Sequence, residues 1–215
     1  MKHVVQDDFF DDPDLVRKIG LELYQAYRTG LDIQAPFGWR GHRSIPLRYV
    51  PGEHHDFLQE MSNKVLNYVW DALDLKNYEY PHFNGYNGVN IDGGNTQDIA
   101  RRKIEEPYIT SYYHVLPDQA LTSLPDFHQD KFHKDDLPCA GLVYLSPDPP
   151  EGSGTAILDG ERNQFDIVDN KYNRLVCYDG YRIHGPCNTF GIDLETGRMS
   201  FTFFIHEVKL TGELE

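Results

Sequence analysis

The sequence predicts an all-β core preceded by a helical, loop-rich N-terminal part, and three observations carry that expectation. After Pro107 the chain breaks into short β-rich runs: Tyr108 to Leu116, Ala140 to Leu145, Thr155 to Leu158, Leu175 to Tyr178 and Met199 to Val208, separated by Pro, Gly and Asp clusters. Before Pro107, two apolar stripes recur at helical spacing. The last run alternates, with Met199, Phe201, Phe203 and Ile205 on one face and Arg198, Ser200, Thr202 and Phe204 on the other. Short strands so spaced build a sandwich or a barrel.

The first stripe, Leu15, Ile19, Leu23 and Ala26, follows Asp11-Asp12-Pro13. That start supplies a capping carboxylate and a first-turn proline, so a helix is expected from Asp12 to Tyr27. The second stripe, Phe57, Met61, Val65, Val69 and Leu73, predicts a helix from about Gly52 to Leu75, with Glu53 and Asp56 favourable to its dipole in the first turn. Both helices are expected to pad the outside of a sheet. Between them, Gly30 to Pro51 mixes glycine and proline with Trp39, Arg40, Arg43 and Arg48 without a period, which reads as an irregular lobe. Asn84-Gly85, Asn87-Gly88 and Asp92-Gly93-Gly94-Asn95 mark consecutive turns. Gly152-Ser153-Gly154-Thr155 lacks the following Gly-Lys-Ser/Thr of a phosphate loop.

With 215 residues, 40% of them hydrophobic, the chain can bury one good core, and a single domain over 1–215 is expected. Acidic residues outnumber basic ones 34 to 20, for a formal charge of −14, and such a field repels phosphate backbones, so no nucleic-acid partner is expected. The start Met1-Lys2-His3-Val4-Val5 lacks the pattern of an export signal, and no apolar stretch reaches membrane-spanning length. A cytoplasmic protein without membrane contact is the expectation. The three cysteines, Cys139, Cys177 and Cys187, are odd in number and lack zinc-like spacing, so reduced thiols are expected.

The chemistry concentrates in Phe127-His128-Gln129-Asp130, Tyr181-Arg182-Ile183-His184 and Gly197-Arg198-Met199-Ser200. At the i, i+2 spacing of a strand, His128 and Asp130 project from one face and can reach one metal, with His184 completing a two-His-one-carboxylate site that leaves positions open. The bland alternatives are a surface His–Asp turn contact and a core histidine at 184, and His133 is a local competitor that would give a three-histidine site. Arg198 sits on the polar face of the last run, where a buried guanidinium without a counter-charge is costly. An anion held in a two-pronged contact would remove that cost. Metal plus anion clamp implies a keto-acid cosubstrate.

From about Ile109 to Ile205 these residues resemble the iron(II)/2-oxoglutarate-dependent oxygenase superfamily, most of all its prolyl-hydroxylase-type branch. Six elements occur in that family's order: Tyr112-Tyr113, His128/Asp130, Tyr144-Leu145, Gly152 to Thr155, His184 and Arg198. The resemblance implies a double-stranded β-helix (jelly roll) over 107–210 with a helical extension over 1–106. It implies metal ligands His128, Asp130 and His184, and cosubstrate contacts from Arg198, Ser200, Tyr144 and one of Tyr112 and Tyr113, of which only one can line the pocket; Tyr113 is the residue named for the site. It further implies Fe(II), 2-oxoglutarate and O2 as cofactors, and Asp130 favours hydroxylation over halogenation. The implied substrate is an amino-acid side chain, peptidyl or free, with another small metabolite or a non-catalytic cupin-like binding role as alternatives. The Trp39-Arg40 lobe, the Asn84 to Asn95 turns and Lys131 to Asp136 are the expected specificity loops.

Overall fold

The computed structural model describes residues 3–27, 41–44, 46–76, 108–117, 127–130 and 139–206. The elements follow as β1 (Val4–Gln6), α1 (Pro13–Tyr27), β2 (His42–Arg43), a 3-10 turn (Leu47–Tyr49), α2 (His55–Ala72), β3 (Tyr108–Leu116), β4 (Cys139–Tyr144), β5 (Thr155–Asp159), β6 (Gln164–Val168), β7 (Leu175–Asp179), β8 (His184–Pro186) and β9 (Arg198–His206). The larger sheet runs β1-β7-β4-β9-β3-β2 and the smaller β6-β5-β8, every pairing antiparallel. This is the jelly-roll arrangement of two facing sheets.

The alternation in β9 decides which way the large sheet faces. Met199, Phe201, Phe203 and Ile205 join Ile109, Tyr113 and Val115 of β3 in a core roofed by Val16, Ile19 and Leu23 of α1 and Leu58, Val65 and Val69 of α2. The opposite face forms a second, smaller core with the minor sheet: Tyr144, Val176, Tyr178 and Phe204 pack against Ile157 and Val168. Both helices thus pad the outside of the sheet, as their stripes require. The stripes are rotated from those expected: Leu15 is 38% exposed, while Val16 takes the buried position, and Leu58 and Leu66 are buried where Phe57 is only half so. The second helix begins at His55 rather than Gly52 because Gly52 adopts a φ of +87°, outside helical geometry.

Four strands escaped the sequence reading. β1 and β2 have three and two residues, β8 has three, and β6 is an edge strand whose Phe165 and Ile167 stay exposed at 40% and 61%. None is long enough, or buried enough, to write an alternation into the sequence. Trp39-Arg40, Asn84 to Asn95, Lys131 to Asp136 and His133 lie outside the described residues. No described helix is long and apolar enough to cross a membrane.

Candidate metal centre and its cationic anchor

One turn positions the metal-site candidates. After β7, Asp179 accepts the Tyr181 backbone N–H through its Oδ1 and the Arg182 N–H through its carbonyl, closing a tight Asp-Gly-Tyr-Arg reversal into β8. Two carbonyls of that reversal are then used. Gly180 O receives the Asp130 N–H at 3.0 Å, and Arg182 O meets His184 Nδ1 at 2.8 Å. His128 and His184 exchange both backbone hydrogen bonds at 2.9 Å, an isolated antiparallel bridge that lays His128 beside β8.

The three side chains converge. Asp130 Oδ1 lies 3.9 Å from His128 Nε2, Oδ2 lies 3.6 Å from His184 Nε2, and ligand atoms of all three fall within 4.8 Å of one another. A carbonyl can only accept, so His184 Nδ1 carries the hydrogen given to Arg182 and Nε2 presents its lone pair to the cluster. Burial holds the His184 imidazole down to about 4, so it stays neutral, as a metal ligand must be. Burial also pushes the Asp130 carboxyl up to about 6, against the pull of His128 and Arg43. Its Oδ2 is buried without a hydrogen bond among the described residues. An orphaned, desolvated carboxylate oxygen facing an imidazole lone pair is unfavourable in the protein alone and favourable around a cation, so these residues fit a divalent metal.

Arg198 lies at the other end of the inter-sheet space. It is 3% exposed, and its Nε and Nη2 donate to Ser153 O at 3.0 Å and Thr155 Oγ1 at 3.0 Å, with Gly154 O at 3.5 Å. Among the described residues no carboxylate pairs with it and Nη1 makes no hydrogen bond. Among the described residues the guanidinium is therefore held by neutral acceptors alone. Tyr144 supports it: the ring centroid lies 5.3 Å from the guanidinium carbon and the hydroxyl meets Thr155 Oγ1 at 2.6 Å. Ser200 shares the inner face, its hydroxyl 3.1 Å from Thr202 Oγ1, and makes no bond to Arg198. The sequence places Thr155 within the Gly-rich turn without a role, because its hold on Arg198 depends on the turn before β5, which brings Ser153, Gly154 and Thr155 to one guanidinium.

Tyr113 is not brought to this space. Its hydroxyl donates to Val16 O of α1 at 2.8 Å and its ring packs edge-on to Phe201, on the helical side of the sheet. Tyr112, the next residue, faces inward, with the Arg43 guanidinium 3.8 Å above its ring and Phe204 beside it. The pairing Tyr112↔Thr202 fixes this choice: the inner face of β9 carries Thr202, so the inner face of β3 carries Tyr112.

Solved structures share this architecture. A Pseudomonas putida prolyl-4-hydroxylase matches with a TM-score of 0.57 at 17% identity, over 95% of this chain and 92% of that one. A prolyl 4-hydroxylase of Phytophthora capsici gives 0.59 at 14%, over 95% of this chain and 58% of that one. The fold is that of the prolyl-4-hydroxylases. A third structure with the prolyl-hydroxylase fold, a Trichoplax adhaerens enzyme in complex with a hypoxia inducible factor oxygen degradation domain peptide fragment, matches at 0.52 and 13% identity, over 95% and 83% of the two chains. Neither a family model nor a curated protein matches the sequence.

Proposed function

We propose that this chain is an iron(II)- and 2-oxoglutarate-dependent dioxygenase that hydroxylates a C–H bond of an amino-acid residue, in a peptide or free. The observation that carries the reading is the pairing of two incomplete charges: a His–Asp–His cluster whose Asp130 and His184 are buried and whose carboxylate keeps an orphaned oxygen, and a buried guanidinium without a counter-ion among the described residues. A divalent metal answers the first and a diacid the second.

His128, Asp130 and His184 would hold iron(II) on one side, leaving the other side open. Arg198, fixed by Ser153, Gly154 and Thr155, would take the distal carboxylate of 2-oxoglutarate, whose keto-acid end then lies toward the metal. With both bound, the metal supplies the oxidative chemistry that couples decarboxylation of the keto acid to hydroxylation of a C–H bond. The protein would contribute orientation and dry surroundings, since Ile157, Val168, Val176 and Phe204 form an apolar cluster between the sheets. Peptidyl substrates are supported by the Trichoplax neighbour, and the net charge of −14 disfavours nucleic acid.

The test is succinate formation from 2-oxoglutarate under air with iron(II), in the parent chain, H128A and R198A. H128A is expected to lose turnover through metal binding, and R198A to raise the KM for 2-oxoglutarate roughly a hundredfold, the size expected for a lost charge-assisted contact. Equal turnover in all three chains sinks the assignment.

A further inference from the structure

Tyr178 has no part in the scheme above, and its position on β7 gives it one. It is 5% exposed, its ring centroid lies 4.5 Å from that of His184, and its hydroxyl makes no hydrogen bond among the described residues. Register carries it into the space between the sheets: Tyr178 opposes Ala140, which opposes Phe204, and all three belong to the inter-sheet core. Tyr144 on the same face differs, because its hydroxyl is engaged with Thr155 and Val168. A phenylalanine at 178 would fill the same volume, so packing alone does not account for the phenol. The reversal that positions the triad begins at Asp179, the next residue, and the inner-face pairings step from there toward Arg198, Tyr178–Ala140–Phe204 first, then Val176–Leu142–Thr202 and Tyr144–Ser200, so Tyr178 stands at the metal end of the span from triad to anchor.

The proposed diacid leaves one acceptor open along that span. Arg198 would take the distal carboxylate, and the keto-acid end would be held at the metal, on the side of the space that carries His128, Asp130 and His184. The carboxylate of that end needs a donor, and among the described residues Tyr178 is a buried donor beside the triad with none of its hydrogen-bonding capacity used. We propose that Tyr178 donates a hydrogen bond to the metal-proximal carboxylate of bound 2-oxoglutarate and so selects a 2-keto diacid over a plain dicarboxylic acid. The inference rests on the 2-oxoglutarate reading of the same site.

Anaerobic titration of the iron(II)-loaded chain tests it, with Y178F beside the parent and two ligands, 2-oxoglutarate and succinate. Succinate retains the distal carboxylate and lacks the keto-acid end. In the parent, 2-oxoglutarate is expected to raise a metal-to-ligand charge-transfer band. In Y178F that band should move in wavelength and the Kd for 2-oxoglutarate rise roughly tenfold or more, while iron(II) and succinate affinities stay put. An unmoved band with unchanged affinity overturns the inference, as does equal weakening of both ligands, which would make Tyr178 a packing residue. No band in the parent itself would overturn the 2-oxoglutarate reading first, and so separates the two failures.

Discussion

Asp130 is held where its charge opposes the fold. Burial raises its carboxyl from 3.8 to about 6, so the folded state binds that proton more tightly than the unfolded chain. Ionisation therefore costs stability as pH rises from about 4 through 6, and the whole cost remains at pH 7. Removing the charge should relieve it: metal-free D130N is expected to melt above the parent at pH 7, with the gap closing as the pH falls toward 4, where the parent carboxyl is protonated too. The same variant should bind manganese(II) or iron(II) at least roughly tenfold more weakly, since the orphaned Oδ2 is the feature a cation satisfies. Thermal melts across that pH range check the first statement, and a D130N midpoint at or below the parent's at pH 7 would refute it. Single residues were unevenly legible. His128, Asp130 and Arg198 could be read because spacing and alternation fix their faces, whereas Tyr112 and Tyr113 are adjacent aromatics with opposite faces, and only the register with Thr202 of β9 separates them.

The elements show why a short turn can matter more than a long strand. Gly152 to Thr155 reads in the sequence as the Gly-rich turn of the family order without a role of its own, yet among the described residues it supplies the hydrogen bonds that hold Arg198. Gly154 is required there: a Cβ would sit 2.2 Å from Val168 O of the neighbouring β6, deep inside van der Waals contact with backbone that cannot yield. G154A is therefore expected to displace the Ser153 and Gly154 carbonyls, loosen the guanidinium and weaken 2-oxoglutarate binding several-fold, with iron(II) binding retained because the triad hangs on a different turn. Isothermal titration of each ligand separates the two effects, and parallel loss of both would show that the turns are not independent. The same elements mark what the sequence leaves unwritten. β9 announces its phase because one face is polar, but Leu175-Val176-Cys177-Tyr178 of β7 is buried on both faces and carries no alternation, so the inward aim of Tyr178 was invisible. β6 and β8 are defined by pairing partners far along the chain rather than by their own residues.

At the scale of the molecule, the site is a tie between two sheets. His184 belongs to β8 of the minor sheet and Asp130 bonds back to Gly180 at the end of β7, while Arg198 rises from β9 in the centre of the large sheet. A metal bound at one end and a diacid bridging to the other would cross-link β8, β7 and β9 in the folded chain only, and so stabilise it by mass action. At a hundred times Kd the gain is about 2.7 kcal/mol per ligand, which for a chain of this size is a rise of roughly 5–10 °C. The two rises should not simply add. The diacid needs the metal for its keto-acid end, so 2-oxoglutarate alone should shift the midpoint little, manganese(II) alone somewhat, and both together by more than the sum. H184A should erase the joint increment by removing the metal, and R198A should erase it while leaving the shift from manganese(II) intact. A 2-oxoglutarate shift of the same size with and without manganese(II) would mean that anchor and triad work as separate sites, and the bridging ligand on which the functional reading depends would have to be given up.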